Sequence, residues 1–310
     1  MLLPLILSYD NETAIDGFGA QAIRLAGIYG LAKALHCNYL HYPVLQVPRE
    51  ELSRFPVSDH EYQSCLEMFN RILLFESVNK VQGTRKILLC KEKSIWLKKL
   101  AKYIFLSFMP GKRVHLKLTL PQGITDKYPF ILENVGPILK ENFLNSGEKK
   151  THDSTVVHIR AEHHGPNKRR PHLSPNYYKV CLDDLLAENL IDRSQPLVIH
   201  TDFFSEDFNE KPLQWRPSLF GEFFRDLQDT FPLVQFKHYA PIEETLLDMF
   251  HATTLIMSRS SISYFAGIAN QNRVIWPPSH GHAKLPRWLI GPNLYEGGIF
   301  IGGMKSPEED

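Results

Sequence analysis

Residues 243–276, EETLLDMFHATTLIMSRSSISYFAGIANQNRVIW, decide the fold. Residues 242–251 read as a helix, 254–258 (TLIMS) as a short apolar strand, 263–270 as a second helix and 274–276 as a second strand. Strands this short and apolar, alternating with helices, belong to a parallel sheet covered on both faces. The same rhythm runs upstream. Residues 155–159 form a β-branched strand, 176–188 a helix, 196–201 (PLVIHT) a strand, 219–230 a helix and 234–238 a strand. Ligands of such sheets bind beyond the carboxyl ends of the strands, so the residues standing there carry the functional reading.

The first half opens in a similar way. Residues 2–8 make an apolar strand, DNETAIDGFGAQ (10–21) a polar loop, 22–36 a helix and 38–41 a second strand, the opening of a doubly wound domain. Along the helix Ile23, Ala26, Gly27, Gly30, Leu31, Ala34 and Leu35 recur at helical spacing, a small-residue face suited to close packing on a sheet. Residues 44–83 give no firm pattern. Residues 85–117 hold ten Lys/Arg against one acid, Glu92. Within that run Ser94 is placed to cap a helix through Phe108, with Ile95, Leu97, Leu100, Tyr103, Ile104 and Phe108 toward one side. Residues 137–143 read as a short closing helix. The polar stretch NSGEKKTHDS (145–154) reads as a linker, giving an N-terminal α/β domain over 1–147 with a basic helical insertion and a Rossmann-like domain over 148–310.

Composition sets bounds on function. With 310 residues, 43% apolar and 22% charged, the chain can bury a full core and is not of the disordered class. A net charge of +1 gives no global attraction to nucleic acid. Cys37, Cys65, Cys90 and Cys181 form no CxxC pair and read as reduced thiols of a cytosolic protein. The start, MLLPLILSYDNE, is apolar for only six or seven residues, lacks a basic flank and contains Pro4, so it reads as a buried strand, not a leader or span. The basic run admits two readings. It is a solvated face whose apolar side packs on the first domain, or a surface for a membrane or RNA.

At the strand ends, 155–159 runs into HIRAEHH (158–164), PLVIHT into Asp202, and TLIMS into Ser258, Arg259, Ser260, Ser261, Ile262 and Ser263 just before a helix. An arginine past a buried strand can set its guanidinium fork against phosphate oxygens. Hydroxyls and backbone N–H groups at a helix start also favour an anion. Arg160 and the serine loop are thus candidates for two walls of a diphosphate pocket. The plainer readings are a surface ion pair for Arg160, a helix cap for the serines and a turn residue for Asp202. His158, His163, His164 and His172 crowd fifteen residues, yet HExxH is absent and so is Asp-x-Asp. The expectation is no metal, with cationic and hydroxyl groups neutralising any diphosphate.

Three segments now resemble a known group as a set. DGFGAQAIRLAGIYGLAKAL (16–35) is similar to the glycine loop and helix of the α-1,2-fucosyltransferase family. VVHIRAEHH (156–164) with LSPNYYKVCL (173–182) resembles its HxRRxD motif and following helix. EETLLDMFHATTLIMSRSSISYFAGIAN (243–270) resembles its last nucleotide-holding motif, and TDFFSED (201–207) sits where that family has an acidic strand end. The resemblance implies two facing Rossmann-like domains of the GT-B kind, GDP-fucose as donor, a glycan or glycoconjugate hydroxyl as acceptor, and inversion at the anomeric carbon. It places His158 and Arg160 at guanine or pyrophosphate, Ser261 and Ser263 by the β-phosphate and Glu244 toward guanine, while Ser260 and Asp202, at their strand ends, complete the candidate nucleotide-binding set. Gly17, Gly19 and Gln21 would line the cleft from the first domain. Arg160 would meet the leaving diphosphate, with Glu162 or His163 as base. The chain departs from the pattern at Ala161, where the family has its second arginine, at His163 in place of aspartate and at Ala20 in place of asparagine. A non-catalytic relative that holds a nucleotide sugar would carry the same departures.

Overall fold

Both halves of the chain are built on parallel sheets. The computed structural model describes residues 3–12, 17–46, 58–78, 86–145, 154–160, 173–201, 217–278 and 280–292. These group into unit 1, which takes the described residues up to 145 together with His282–Pro286, and unit 2, which takes 154–281 and 287–292. The expected α/β class holds for each.

Unit 1 runs β1 (Leu3–Tyr9), α1 (Phe18–Ala34), β2 (Cys37–Leu40), α2 (Asp59–Ile72), β3 (Lys86–Ser94), α3 (Leu97–Ser107) and β4 (Lys112–Leu120), then the short helices α4 (Gln122–Thr125), α5 (Phe130–Glu133) and α6 (Gly136–Leu144). Its sheet has the order β2-β1-β4-β3, every pair parallel. The basic run is therefore not a helical insertion. It is a strand–helix–strand crossover, and Ser94 closes β3 while Trp96 stands at the start of α3 without a side-chain cap bond. Several of the lysines are held by acids: Lys91 and Lys117 by Glu12 at 2.8 and 3.2 Å, Lys99 by Glu92 at 2.5 Å. α1 packs on β1 and β2 as expected, and the glycines of its small-residue face meet a further neighbour. A Cβ on Gly30 would lie 2.4 Å from Ile131 O, and one on Gly27 would lie 3.0 Å from Pro121 and Thr125. Those glycines admit the 121–135 segment, and α1 is buried almost all round. Residues 59–72, unassigned from sequence, form α2 with Leu66, Met68, Phe69 and Ile72 buried.

Unit 2 runs β5 (Thr155–Ile159), α7 (Pro175–Ala187), β6 (Leu197–Thr201), α8 (Pro217–Thr230), β7 (Val234–His238), α9 (Ile242–His251), β8 (Thr254–Ile256), α10 (Ser261–Ala269), β9 (Arg273–Trp276) and β10 (Leu289–Ile290). Its order is β10-β9-β8-β5-β6-β7, all parallel, the doubly wound Rossmann-type order read from the β7 edge. Side chains alternate between faces along a strand. Val157, Ile159, Leu197, Ile199, Ile256 and Ile275 join one core with Tyr177, Tyr178, Cys181 and Leu185 of α7 and Phe223, Phe224 and Leu227 of α8. Burial of each such side chain contributes about 1.5–3 kcal/mol. The intervening residues, His158 and His200 among them, point to the opposite face, where α9 and α10 lie.

Candidate functional site

The strand order of unit 2 reverses between β5 and β8, and crossovers leave these two strands toward opposite faces. A crevice beyond their carboxyl ends is the binding position of such sheets. His158 and Arg160 stand at the end of β5, and the serine loop 258–263 follows β8. The structure brings them together. Arg160 donates from Nη1 to Ser260 Oγ at 3.4 Å, while His158 Nδ1 and Ser258 Oγ share a hydrogen bond of 2.7 Å.

Each serine has its own task. Ser260, extended at the head of α10, caps it by accepting from Ile262 N at 3.3 Å. Ser263 is fully buried, and its hydroxyl lies 3.0 Å from Ser258 O and 3.1 Å from Ser260 O, so it shapes the loop from beneath instead of facing a phosphate. Ser258 is likewise buried, between His158 and Ser263. Ser261, partly exposed in the first turn, is the serine a ligand can reach. No acid sits in that turn, so the positive end of α10 and Arg160 act in the same direction. His280, whose ring lies 5.0 Å from that of Tyr264, reaches the Ser260 carbonyl at 3.5 Å, a neighbour the sequence reading did not include.

Burial, then His200 and Arg160 nearby, push the His158 imidazole down to about 3, so it is neutral at physiological pH. The unfolded chain takes up this proton first, near the usual histidine value. The stability held by neutral His158 is thus complete above about pH 6.5 and is lost as pH falls toward 3. Urea unfolding between pH 7 and 4 should show the parent losing up to about 1.4 kcal/mol per pH unit more steeply than His158→Gln. Equal slopes would mean that the ring is not held neutral.

A second polar group lies on the same face, one strand over. His158, His200 and Lys237 share one register line across β5, β6 and β7. His200 Nε2 meets Asp248 Oδ2 of α9 at 2.9 Å, and Lys237 Nζ donates to Asp248 Oδ2 at 2.5 Å and Glu244 Oε1 at 2.7 Å. Burial works to lower the Lys237 ammonium, but Asp248 and Glu244 outweigh it and hold it above the usual lysine range. Glu244, assigned by resemblance to guanine, is thus ion-paired with Lys237. Only the register of three strands, unreadable from local sequence, could have revealed this cluster.

The remaining candidates divide by position. Gly17 precedes α1 in unit 1, and Gly19 is buried in the first turn of that helix. Gln21 is buried and donates to Gln46 O at 2.7 Å. Glu162, His163, Asp202 and the histidines 164 and 172 lie outside the described residues.

No protein-family model matches the chain, and no curated protein matches it. Among solved structures the chain is similar to the E. coli heptosyltransferase WaaC with ADP, at 10% identity over 90% of this chain and 91% of that one, TM-score 0.39. It is similar to POFUT1 in complex with GDP, at 12% identity over 86% and 96%, TM-score 0.38. It is also similar to a variant of Arabidopsis thaliana FUT1 in complex with GDP, at 10% identity over 87% and 69%, TM-score 0.42. At such identities and scores these likenesses decide neither donor nor acceptor.

Proposed function

We propose that the chain is an inverting, metal-independent glycosyltransferase that takes GDP-fucose as donor and a glycan or glycoconjugate hydroxyl as acceptor. The observation that carries the reading is the pairing of Arg160 with Ser260 at the switch point of unit 2, above the start of α10. That corner concentrates positive potential where a diphosphate would leave. The order of the three resembling segments along the chain supports the choice of fucosyl transfer. In the reaction the acceptor oxygen attacks C1 of the sugar and the bond from C1 to the diphosphate oxygen breaks. The electron pair leaves with the diphosphate, and the acceptor proton passes to Glu162 or His163. Charge grows most on the departing oxygens, where electrostatic stabilisation counts most, and Arg160 is the group assigned there. The base contributes roughly 10²–10⁴-fold. With no Asp-x-Asp in the chain, neutralisation falls to the guanidinium, the hydroxyls and the helix start.

A thermal-shift panel of GDP-, UDP-, CMP- and ADP-sugars, followed by a transfer assay in excess EDTA, tests this. GDP-fucose at 100 times its Kd should add about 2.7 kcal/mol of stability, and turnover should persist with chelator. Stabilisation by none of the panel would refute the site. Activity that EDTA abolishes and Mn²⁺ restores would refute metal independence. GDP binding without turnover would identify a non-catalytic relative, the reading to which Ala161 and His163 lend weight.

A further inference from the structure

We propose that unit 1 carries a lipid-docking face, made by the outer side of α3 and the edge strand β3, that seats on the surface of an anionic bilayer. Thirteen large apolar side chains stand exposed among the described residues, and eight of them fall within 87–109, so the exposure is concentrated and not scattered. α3 turns Leu100, Tyr103 and Ser107 inward, over β4 and β1. The helical period then lines Leu97, Ala101, Phe105 and Phe108 along a separate stripe. Trp96, Leu97, Phe105 and Phe108 are 63%, 51%, 73% and 59% exposed. Because α3 lies over β4 and β1, it leaves the edge strand uncovered. Leu88, on the sheet face of Glu92 and so of α3, is exposed beside it, while Ile87 and Leu89 are exposed on the opposite face. α3 returns antiparallel to β3, so Phe108 and Met109 come back to the end of the sheet where β3 begins.

Charge selects the occupant. Lys98 and Lys102 are exposed on α3, Lys93 on β3 and Lys112 at the start of β4. The one acid in the run, Glu92, is engaged by Lys99 and Tyr103. Bare aromatic and leucine side chains beside exposed lysines fit the boundary between anionic headgroups and acyl chains. A second copy of this face would bring the same lysines into opposition. RNA bases could stack on Phe105 and Phe108, but the exposed leucines, Leu88 and Leu97, offer them no stacking platform. Among the described residues no helix is long and apolar enough to cross a membrane, so the attachment is interfacial.

The test is co-sedimentation of the intact protein with vesicles of phosphatidylcholine alone, or with roughly a third phosphatidylserine, at low and moderate salt. Each lysine near an anionic leaflet raises partition about fivefold, so Lys98→Glu/Lys102→Glu should lower it about 20-fold or more. Phe105→Ser/Phe108→Ser should lower it about tenfold or more through lost apolar burial. All four positions are exposed, and an unchanged melting temperature verifies the fold of each variant. Binding to the anionic vesicles that salt weakens and both variants lose supports the proposal. Protein that stays in the supernatant, or variants that pellet like the parent, overturns it. Dimerisation in sedimentation velocity that Phe105→Ser/Phe108→Ser abolishes assigns the face to a second copy and equally overturns it.

Discussion

Replacing Arg160 with lysine is expected to weaken GDP binding by about 1.5–3 kcal/mol, roughly 10- to 150-fold in Kd. The side chain is partly buried at the end of β5 and already directed at the Ser260 hydroxyl, 3.4 Å away, so its fork is positioned before a ligand arrives. Lysine keeps the charge but replaces a planar, bidentate donor with a mobile point charge. The expected loss comes from geometry and not from net charge, which is why the conservative variant is the informative one. Isothermal titration on a folded Arg160→Lys protein decides the matter. An unchanged affinity would return Arg160 to the status of a surface ion-pair residue, for which a change below about 1 kcal/mol is expected.

Removing Asp248 is expected to have the largest effect on stability. Its side chain is 7% exposed and holds both Lys237, at 18%, and His200, at 2%. Asp248→Ala leaves the Lys237 ammonium with Glu244 as its remaining acceptor and takes the Nε2 partner from buried His200. Breaking a buried pair of this kind costs up to about 3–5 kcal/mol. Urea unfolding should show the midpoint falling with the slope preserved. Pairing Asp248→Leu with Lys237→Met should recover most of the loss, because it removes both charges together and fills the space. A loss below about 1 kcal/mol for Asp248→Ala would show that water screens the cluster.

How much of this could be read in advance differs between the two units, for a physical reason. In unit 2 the central strands β5, β6 and β8 are largely buried on both faces, so TVVHI, LVIHT and TLI are apolar runs that announce themselves, and the strand ends followed directly. In unit 1, β4 reads KRVHLKLTL, and its polar positions obscured a strand. Val114, Leu116 and Leu118 alternate with His115 and Lys117, which are themselves buried because Ser8 Oγ meets His115 Nε2 at 2.8 Å and Glu12 meets Lys117. Those partners lie more than a hundred residues away in sequence, so no local window contains the reason. The candidate site follows the same rule. His158, Arg160 and the serine loop could be found as neighbours of strand ends. Lys237, Asp248 and His200 become neighbours only when β5, β6 and β7 fall into register.

The short return of His282–Pro286 into unit 1 bears on the order in which the protein can be made. Within unit 1, Asp126 receives the backbone N–H of Ala283 at 3.4 Å, with the His282 ring 3.5 Å from the same carboxylate oxygen. A domain that folds as it leaves the ribosome normally closes once its own stretch of chain has emerged. Here the last piece of unit 1 emerges after nearly all of unit 2 has been synthesised. Asp126 therefore waits, on a growing chain, for partners encoded more than a hundred and fifty codons downstream.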